Sequence, residues 1–119
     1  MVYTASNRSL ACLENVVHRG QLGLNQVFSM MTVQVNDSIE IEKIKPSELP
    51  EDWKEFHQMP FTQALGERWI SENRSAIMQV PSSIVEEEVN YLLNPKHLDF
   101  NFVKLIKTDP FVFDKRIKL

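Results

Sequence analysis

The stretch VPSSIVEEEVNYLLNPKH, from Val80 to His97, carries the strongest structural signals in the sequence. The mostly apolar run Ala76–Val80, which leads into this stretch, predicts a β-strand. Pro81 ends that strand because proline cannot donate a hydrogen bond to a neighbouring strand. The hydroxyls of Ser82–Ser83 follow directly. A strand that ends in hydroxyls is typical either of a turn with a capping side chain or of a binding loop. Both interpretations stay open from the sequence mechanics.

The second half of this stretch predicts another short strand. Asn90–Leu93 is apolar except for its first residue, and Asn94–Pro95 behind it is a turn signal. Asn90 either fixes a loop or contacts a ligand. The two strands lie close together in sequence, with an acidic connection between them.

The N-terminal residues predict a strand followed by a helix. Met1–Tyr3 is typical of the end of a strand, and Ser6 or Asn7 can cap a helix that runs to about His18. A phenol, that of Tyr3, therefore lies just before the helix. The bulk of the predicted helix is apolar on one side.

That helix is expected to carry an acid on its apolar face. Leu10, Leu13 and Val17 are spaced i, i+3 and i+7, and Glu14 falls on the same face. A buried carboxylate costs free energy unless it is paired. Glu14 is therefore either bonded to a neighbouring backbone or part of a cleft in which burial perturbs its pKa.

The remaining segments complete a mixed architecture. A loop with one helical turn around Asp52–Phe56 is expected between Pro46 and Pro60. Further strands are predicted at Phe28–Val35, Ile39–Glu42 and Phe102–Lys107. A second main helix is predicted at Thr62–Glu72, with Leu65 and Trp69 facing inward. The pattern indicates an α+β fold with small mixed sheets and two main helices.

Composition and charge bound the function. The 119 residues fit a single domain, residues 1–119. With 13 basic and 16 acidic residues the net charge is −3, which argues against direct nucleic-acid binding. No run approaches the roughly 18 apolar residues of a membrane span, and no signal peptide is evident. We therefore expect a cytoplasmic protein that does not contact membranes.

Few residues suggest metal or thiol chemistry. The single cysteine, Cys12, excludes an internal disulfide and is interpreted as a small core residue in mid-helix. His18, His57 and His97 are scattered, and none stands at metal-ligand spacing from another ligand. No metal site is expected.

Taken in order, these motifs resemble those of the bacterial RES domain family. The family shows a strand ending v-v-Y-t-a, a helix with a-l-l-E, and then L-G-x-x-W, a-l-L-x-V-P-S-a-i-v and N-Y-L-x-N-P-x-H-x-d-F. The corresponding segments here are Met1–Ala5, Cys12–Glu14, Leu65–Trp69, Ala76–Val85 and Asn90–Phe100. The resemblance spans the whole chain and is most specific between Val80 and His97.

The resemblance implies a fold like that of ADP-ribosyltransferases, which split NAD in a cleft between small sheets. RES proteins are toxins of type II toxin–antitoxin systems and degrade NAD by cleaving the bond between nicotinamide and ribose. Their partner is an Xre-type antitoxin with a helix-turn-helix. The resemblance therefore implies NAD as substrate, no metal, and a protein partner, and it leaves hydrolysis and phosphorolysis open.

The resemblance also implies roles for individual residues. Tyr3, Glu14 and Ser82 fall on family positions assigned to the active site. Glu14 is expected to stabilise the positive charge that builds on the ribose, or to hold the ribose hydroxyls. Tyr3 would stack on or bond the nicotinamide ribose, and Ser82 would bond the carboxamide or a ribose hydroxyl. Asn90 and Asn94 match positions interpreted mainly as structural, with Asn90 also a candidate NAD contact.

One departure from the family pattern leaves alternatives open. Family members carry about 30 or more further residues before the strand that ends at Tyr3, including a G-R-W motif whose arginine joins the active site. We expect this chain to lack that segment. It is then either an incomplete toxin or a non-catalytic antitoxin-binding remnant, while a third possibility is an ADP-ribosyltransferase that acts on a macromolecule. An unpaired strand edge would also favour a homo-oligomer.

Overall fold

The computed structural model describes residues 1–20 and 25–117, which form two small sheets and two helices. The strands, in chain order, are β1 (Val2–Ala5), β2 (Val27–Val35), β3 (Ile41–Lys43), β4 (Ile77–Pro81), β5 (Val89–Leu93) and β6 (Val103–Val112). The helices are α1 (Arg8–Arg19) and α2 (Met59–Glu72), with short 3-10 turns at Pro46–Glu48, Phe56–Gln58 and Leu98–Phe102. The predicted α+β class with two main helices is confirmed.

The larger sheet has the strand order β1-β5-β4-β3. β5 pairs antiparallel with both β1 and β4, whereas β3 pairs parallel with β4. Leu92 lies opposite both Tyr3 and Met78, and Asn90 lies opposite Val80. Because side chains alternate along a strand, these five residues share one face of the sheet. This face holds the candidate site.

The opposite face of this sheet holds the main apolar core. Ile77 and Leu93 point there, and they pack with Ile39 and Ala76 in a buried cluster. Val35 of β2 and Val103 of β6 pack against that cluster. The two-stranded sheet therefore covers one face of the four-stranded sheet, which leaves the Tyr3 face to the helices.

The smaller sheet pairs β2 with β6 along their whole length, with a register shift between Thr32 and Val33. The sequence predicts a strand at Phe102–Lys107 here, but β6 continues to Val112 and runs through Pro110. Proline is tolerated there because β6 has a single neighbouring strand and Pro110 needs no donor on its free side. An edge-to-face contact between Phe28 and Phe113, with ring centroids 5.6 Å apart, fixes the end of this sheet.

The helix α1 begins where the sequence predicts. The side-chain oxygen of Asn7 accepts a hydrogen bond from the Leu10 backbone N–H at 2.8 Å, which satisfies one of the free donors of the first turn. The helix ends at Gly20, whose φ of +60° is a conformation that glycine adopts without a Cβ clash. The cap and the extent of the helix are thus confirmed.

The predicted inner face of α1 is only partly right. Leu10 and Glu14 are buried, but Leu13 is 43% exposed and Val17 is 53% exposed. Leu13 lies about 100° around the axis from Glu14, so a helix that turns Leu10 and Glu14 inward leaves Leu13 at the border. Val17 lies on the last turn, and its exposure shows that only the first part of α1 packs on the sheet.

Three boundaries differ from the sequence prediction. The helix α2 begins at Met59 rather than Thr62, because Pro60 in its first turn loses no helical hydrogen bond. The half-buried strand expected at Ile39–Glu42 is Ile41–Lys43, and Ile39 instead enters the core. The helical turn expected around Asp52–Phe56 lies later, at Phe56–Gln58. Within the described residues, neither helix is long and apolar enough to cross a membrane.

The helix α2 is anchored by Trp69, which is fully buried as predicted. Its ring packs on Met78 and Leu92, on the same sheet face as Tyr3. The indole N–H donates to the Ser75 hydroxyl at 2.8 Å, and that hydroxyl donates to the Ile77 carbonyl at 2.9 Å. The indole therefore has both a packed ring and a satisfied donor, which holds α2 in one orientation against the sheet.

Candidate functional site

A buried carboxylate lies where α1 meets the four-stranded sheet. Glu14 is 7% exposed and lies one helical turn beyond the buried Leu10. Among the residues described, no lysine, arginine or histidine forms an ion pair with Glu14. Neutral hydrogen-bond donors must therefore compensate the burial of this group.

Two side chains from neighbouring strands supply those donors. The Ser82 hydroxyl donates to Glu14 Oε1 at 3.1 Å, and the Asn90 amide donates to Glu14 Oε2 at 3.1 Å. Ser82 follows the end of β4, and Asn90 lies in β5 next to it. The structure thus brings together three of the four predicted site residues in one buried cluster, Glu14–Ser82–Asn90.

The Ser82 hydroxyl is held in a fixed orientation. It accepts hydrogen bonds from the backbone N–H groups of Ile84 and Val85, each at 3.1 Å. With both acceptor positions occupied, its single proton is left to point at Glu14. Ser82 therefore does cap the turn after β4, and the same contacts aim its donor at the carboxylate.

Asn90 is oriented by two acceptors and keeps one free oxygen. Its Nδ2 donates to the Thr4 carbonyl at 3.1 Å as well as to Glu14. Because both partners are acceptors, the amide nitrogen must face them, and Oδ1 must face away. Within the described part of the chain, Asn90 Oδ1 is buried and has no hydrogen-bond partner. A buried acceptor without a donor is uncommon and marks a place for a ligand or a water.

Tyr3 stands at the edge of this cluster. Burial and, as the smaller cause, the negative charge of Glu14 together raise the pKa of Tyr3 to about 12 from its ordinary 10.0. Because the residue is 56% exposed overall, solvent screens part of this effect. The phenol is therefore protonated at neutral pH, and it can donate a hydrogen bond but cannot act as a base.

The raised pKa of Tyr3 gives a stability effect at alkaline pH. A folded-state pKa near 12 against 10.0 in the unfolded chain means that the folded state binds more protons between these values. The associated stabilisation is present below pH 10.0 and is lost as the pH rises towards about 12. We expect tyrosinate absorbance to rise in a late step near pH 12 that Tyr3→Phe removes. A late step that persists in this variant would contradict its assignment to Tyr3.

A cavity of about 650 Å³ opens on the same sheet face. Tyr3, Val80 and Ser83 form its wall on the sheet side, and Trp53 and Met59 form part of the opposite wall. Its volume lies in the range of small-molecule sites, about 300–1,000 Å³. Glu14, Ser82 and Asn90 are not part of this wall, so Tyr3 is the predicted site residue that joins the buried cluster to the cavity.

One side of this cavity is not predicted from the sequence. The segment 49–59 supplies Trp53, Lys54 and Phe56 to it, whereas the sequence predicts only a loop with one helical turn around Asp52–Phe56. Trp53 is almost fully buried although it lies in an irregular segment, and a tryptophan within a polar loop is the signal that could have indicated this wall.

Other candidate residues have local roles. Asn94 donates to the Asn73 side chain and accepts from the Lys96 backbone, so it holds the turn after β5 as predicted. Burial raises the pKa of the Cys12 thiol, which disfavours the thiolate that a nucleophile needs. His57 is paired with Asp52 at 2.7 Å. No group of three or more metal-ligating side chains is found in residues 1–20 and 25–117.

Comparison with known proteins identifies the family of this chain. A family model described as "RES domain" matches residues 1–114. A Sphingobium protein named "Prs ADP-ribosylating toxin" is 36% identical over 98% of this chain and 74% of its own length. Proteins named "Toxin Res" from Yersinia enterocolitica and Photorhabdus laumondii are each 32% identical over 98% of this chain, and over 77% and 74% of their own lengths. These names support a toxin role, and the match over nearly the whole chain shows that it belongs to the RES domain family.

Proposed function

We propose that this protein is the toxin of a bacterial type II toxin–antitoxin system and degrades NAD by cleaving the bond between nicotinamide and ribose. The observation that carries the proposal is the buried Glu14 carboxylate, which Ser82 and Asn90 hold by hydrogen bonds. Tyr3 lies beside this carboxylate and forms part of the cavity wall. The ADP-ribosyltransferase-like fold of RES toxins supports NAD as the substrate, and NAD turnover supports a cytoplasmic location.

The chemistry of the bond explains why a fixed carboxylate is useful. Loss of nicotinamide builds positive charge on the ribose, as in an oxocarbenium-like transition state. A preorganised negative charge stabilises that state without any reorganisation during the reaction. A carboxylate has about four acceptor positions, and Ser82 and Asn90 occupy two of those on Glu14. Its remaining lone pairs are free to accept from ribose hydroxyls.

The other site residues would position the substrate. Tyr3, protonated at neutral pH, can donate to the nicotinamide ribose or stack on it. Ser82 and Asn90 touch Glu14 rather than the cavity, so we assign them mainly to holding the carboxylate. The free Oδ1 of Asn90 lies behind the cavity wall, so it can accept from a ribose hydroxyl or from the carboxamide N–H only where the substrate reaches past Tyr3. This retains Asn90 as a candidate NAD contact.

The test is the fate of NAD on incubation with the purified full-length protein. We expect nicotinamide to be released in an amount equal to the NAD consumed, and the ADP-ribose part to remain a free small molecule. Product masses with and without inorganic phosphate separate hydrolysis from phosphorolysis. If the folded protein neither binds nor consumes NAD, the proposal is wrong.

A second candidate is ADP-ribosylation of a macromolecule. It is favoured by the relative named "Prs ADP-ribosylating toxin", which is 36% identical to this chain. Both reactions begin with the same bond cleavage and differ in the acceptor of the ribose. NAD labelled in its adenylate part would then mark a protein or RNA in a cell extract, whereas the first proposal leaves the label in free products.

The proposed partner is a helix-turn-helix antitoxin of the Xre type. The relatives' name "Toxin Res" supports a toxin that is paired with an antitoxin. The exposed apolar residues Leu13 and Val17, one turn apart on α1, are side chains that such a partner can cover. Co-purification with the antitoxin, without any NAD turnover, would favour the non-catalytic binding alternative. Self-association of the chain stays a prediction that size-exclusion chromatography tests.

A further inference from the structure

The wall of the cavity carries an uneven set of charges. Most of its residues are apolar, and the charged ones among those described are Lys54, Glu55 and Glu67. Lys54 is therefore the single cationic side chain in the described wall, against two carboxylates. An anionic group in this cavity is attracted to Lys54 and repelled by the two acids, so the charges favour one position for it.

Lys54 is also paired across the rim of the cavity. Its ammonium donates to Glu86 Oε2 at 3.0 Å, and the two side chains are 42% and 56% exposed. An ion pair that water reaches on both sides is weak, because solvent screens the attraction and both side chains lose freedom. The ammonium can therefore leave Glu86 for a stronger anion at little cost.

The pair joins two segments that both border the site. Lys54 lies in the segment 49–59, which forms the wall opposite the sheet. Glu86 lies between β4 and β5, four residues after Ser82. The Lys54–Glu86 pair shares no hydrogen bond with the side chains of the buried Glu14–Ser82–Asn90 cluster.

We propose that Lys54 binds the diphosphate of the dinucleotide substrate by exchanging Glu86 for a phosphate oxygen. This inference rests on the proposed function, since NAD carries two negative charges at its diphosphate. The ammonium is a compact point charge that binds phosphate well. The diphosphate offers it two negative charges, whereas the exposed Glu86 offers one that solvent screens. Glu86 acts as a competitor that holds Lys54 when the cavity has no anion.

The experiment is a calorimetric titration of ADP-ribose into the wild type, Lys54→Met, Glu86→Gln and the double variant. Methionine keeps the apolar stem of Lys54 but removes the charge. We expect Lys54→Met to weaken ADP-ribose binding by about tenfold, the loss of one charge-assisted contact. Glu86→Gln alone should strengthen ADP-ribose binding by about two- to fivefold. In the double variant, which also carries Lys54→Met, Glu86→Gln should not change ADP-ribose binding.

Two controls make the result specific. Adenosine, which has no phosphate, should bind all four proteins equally, and Lys104→Met, an exposed lysine on β6, should leave ADP-ribose binding unchanged. Inorganic phosphate titrated alone shows whether Lys54 prefers a free anion to the dinucleotide. The proposal is wrong if Lys54→Met weakens the binding of adenosine as much as that of ADP-ribose. It is also wrong if Glu86→Gln strengthens ADP-ribose binding as much in the Lys54→Met protein as in the protein that keeps Lys54.

Failure of this inference is separable from failure of the proposed function. If wild-type protein binds ADP-ribose and consumes NAD while Lys54→Met binds ADP-ribose equally well, only the role of Lys54 is wrong. If the wild type neither binds ADP-ribose nor consumes NAD, the proposed function is wrong and the role of Lys54 is lost with it.

Discussion

Glu14→Gln should lower the rate of NAD consumption by about 10²- to 10³-fold, the usual effect of removing one preorganised electrostatic group. The substitution keeps the size of the side chain but removes the negative charge. It also disturbs the contacts, because Ser82 and Asn90 both donate to this side chain. A glutamine can accept from one of them but must turn its own donor towards the other. Initial rates of nicotinamide release, with unfolding curves of both proteins, measure the effect.

Glu67→Gln is the matched control for this experiment. Glu67 lies in the wall of the same cavity, is exposed, and takes no part in the Glu14–Ser82–Asn90 cluster. The variant loses one negative charge near the substrate, as Glu14→Gln does, but Glu67 is exposed and acts on a bound anion only by solvent-screened repulsion, so we expect turnover to change by no more than about a few-fold. Full activity in folded Glu14→Gln, or an equal loss in Glu67→Gln, would show that Glu14 has no special role.

Trp69→Ala should lower the free energy of unfolding by about 3–5 kcal/mol, as for other fully buried aromatic residues that are cut back to alanine. The ring fills the space between α2 and the side chains of Met78 and Leu92. The variant leaves a cavity there and deprives the buried Ser75 hydroxyl of its donor. Marginal stability makes such a loss a large part of the total. Chemical denaturation followed by circular dichroism measures it.

Two variants calibrate this loss. Trp69→Phe keeps an aromatic ring and removes the indole N–H, so it should cost clearly less than Trp69→Ala. Leu13→Ala shortens an apolar side chain that is 43% exposed, and we expect it to change the free energy of unfolding by about 0.5 kcal/mol or less. If Trp69→Ala costs no more than Leu13→Ala, then α2 does not depend on the burial of its indole.

Local sequence signals were enough for most of the elements. Asn7 identified the start of α1 because its side chain caps the first turn whatever lies around it. The proline of Val80–Pro81 and the turn Asn94–Pro95 marked the ends of β4 and β5, since proline restricts the backbone locally. No capping residue or proline of this kind indicates that the segment 49–59, whose backbone is irregular, forms a wall of the cavity.

Side-chain exposure was harder to predict from the same signals. Leu13 and Val17 fit the apolar period of α1, but both are exposed. Periodicity describes which residues share a helix face, and it does not say how much of that face another element covers. In α1, only the part near Leu10 and Glu14 meets the sheet.

By itself the sequence determined the α+β class, the two helices, the ends of β4 and β5, and an acid, Glu14, on an inward helix face. Only the tertiary structure decided what that acid meets. Ser82 and Asn90 reach its carboxylate from 68 and 76 residues away, because the antiparallel pairing of β4 and β5 places them next to each other under α1. The physical reason is that a buried charge needs donors, and pairing register, which no local pattern records, chooses which side chains provide them.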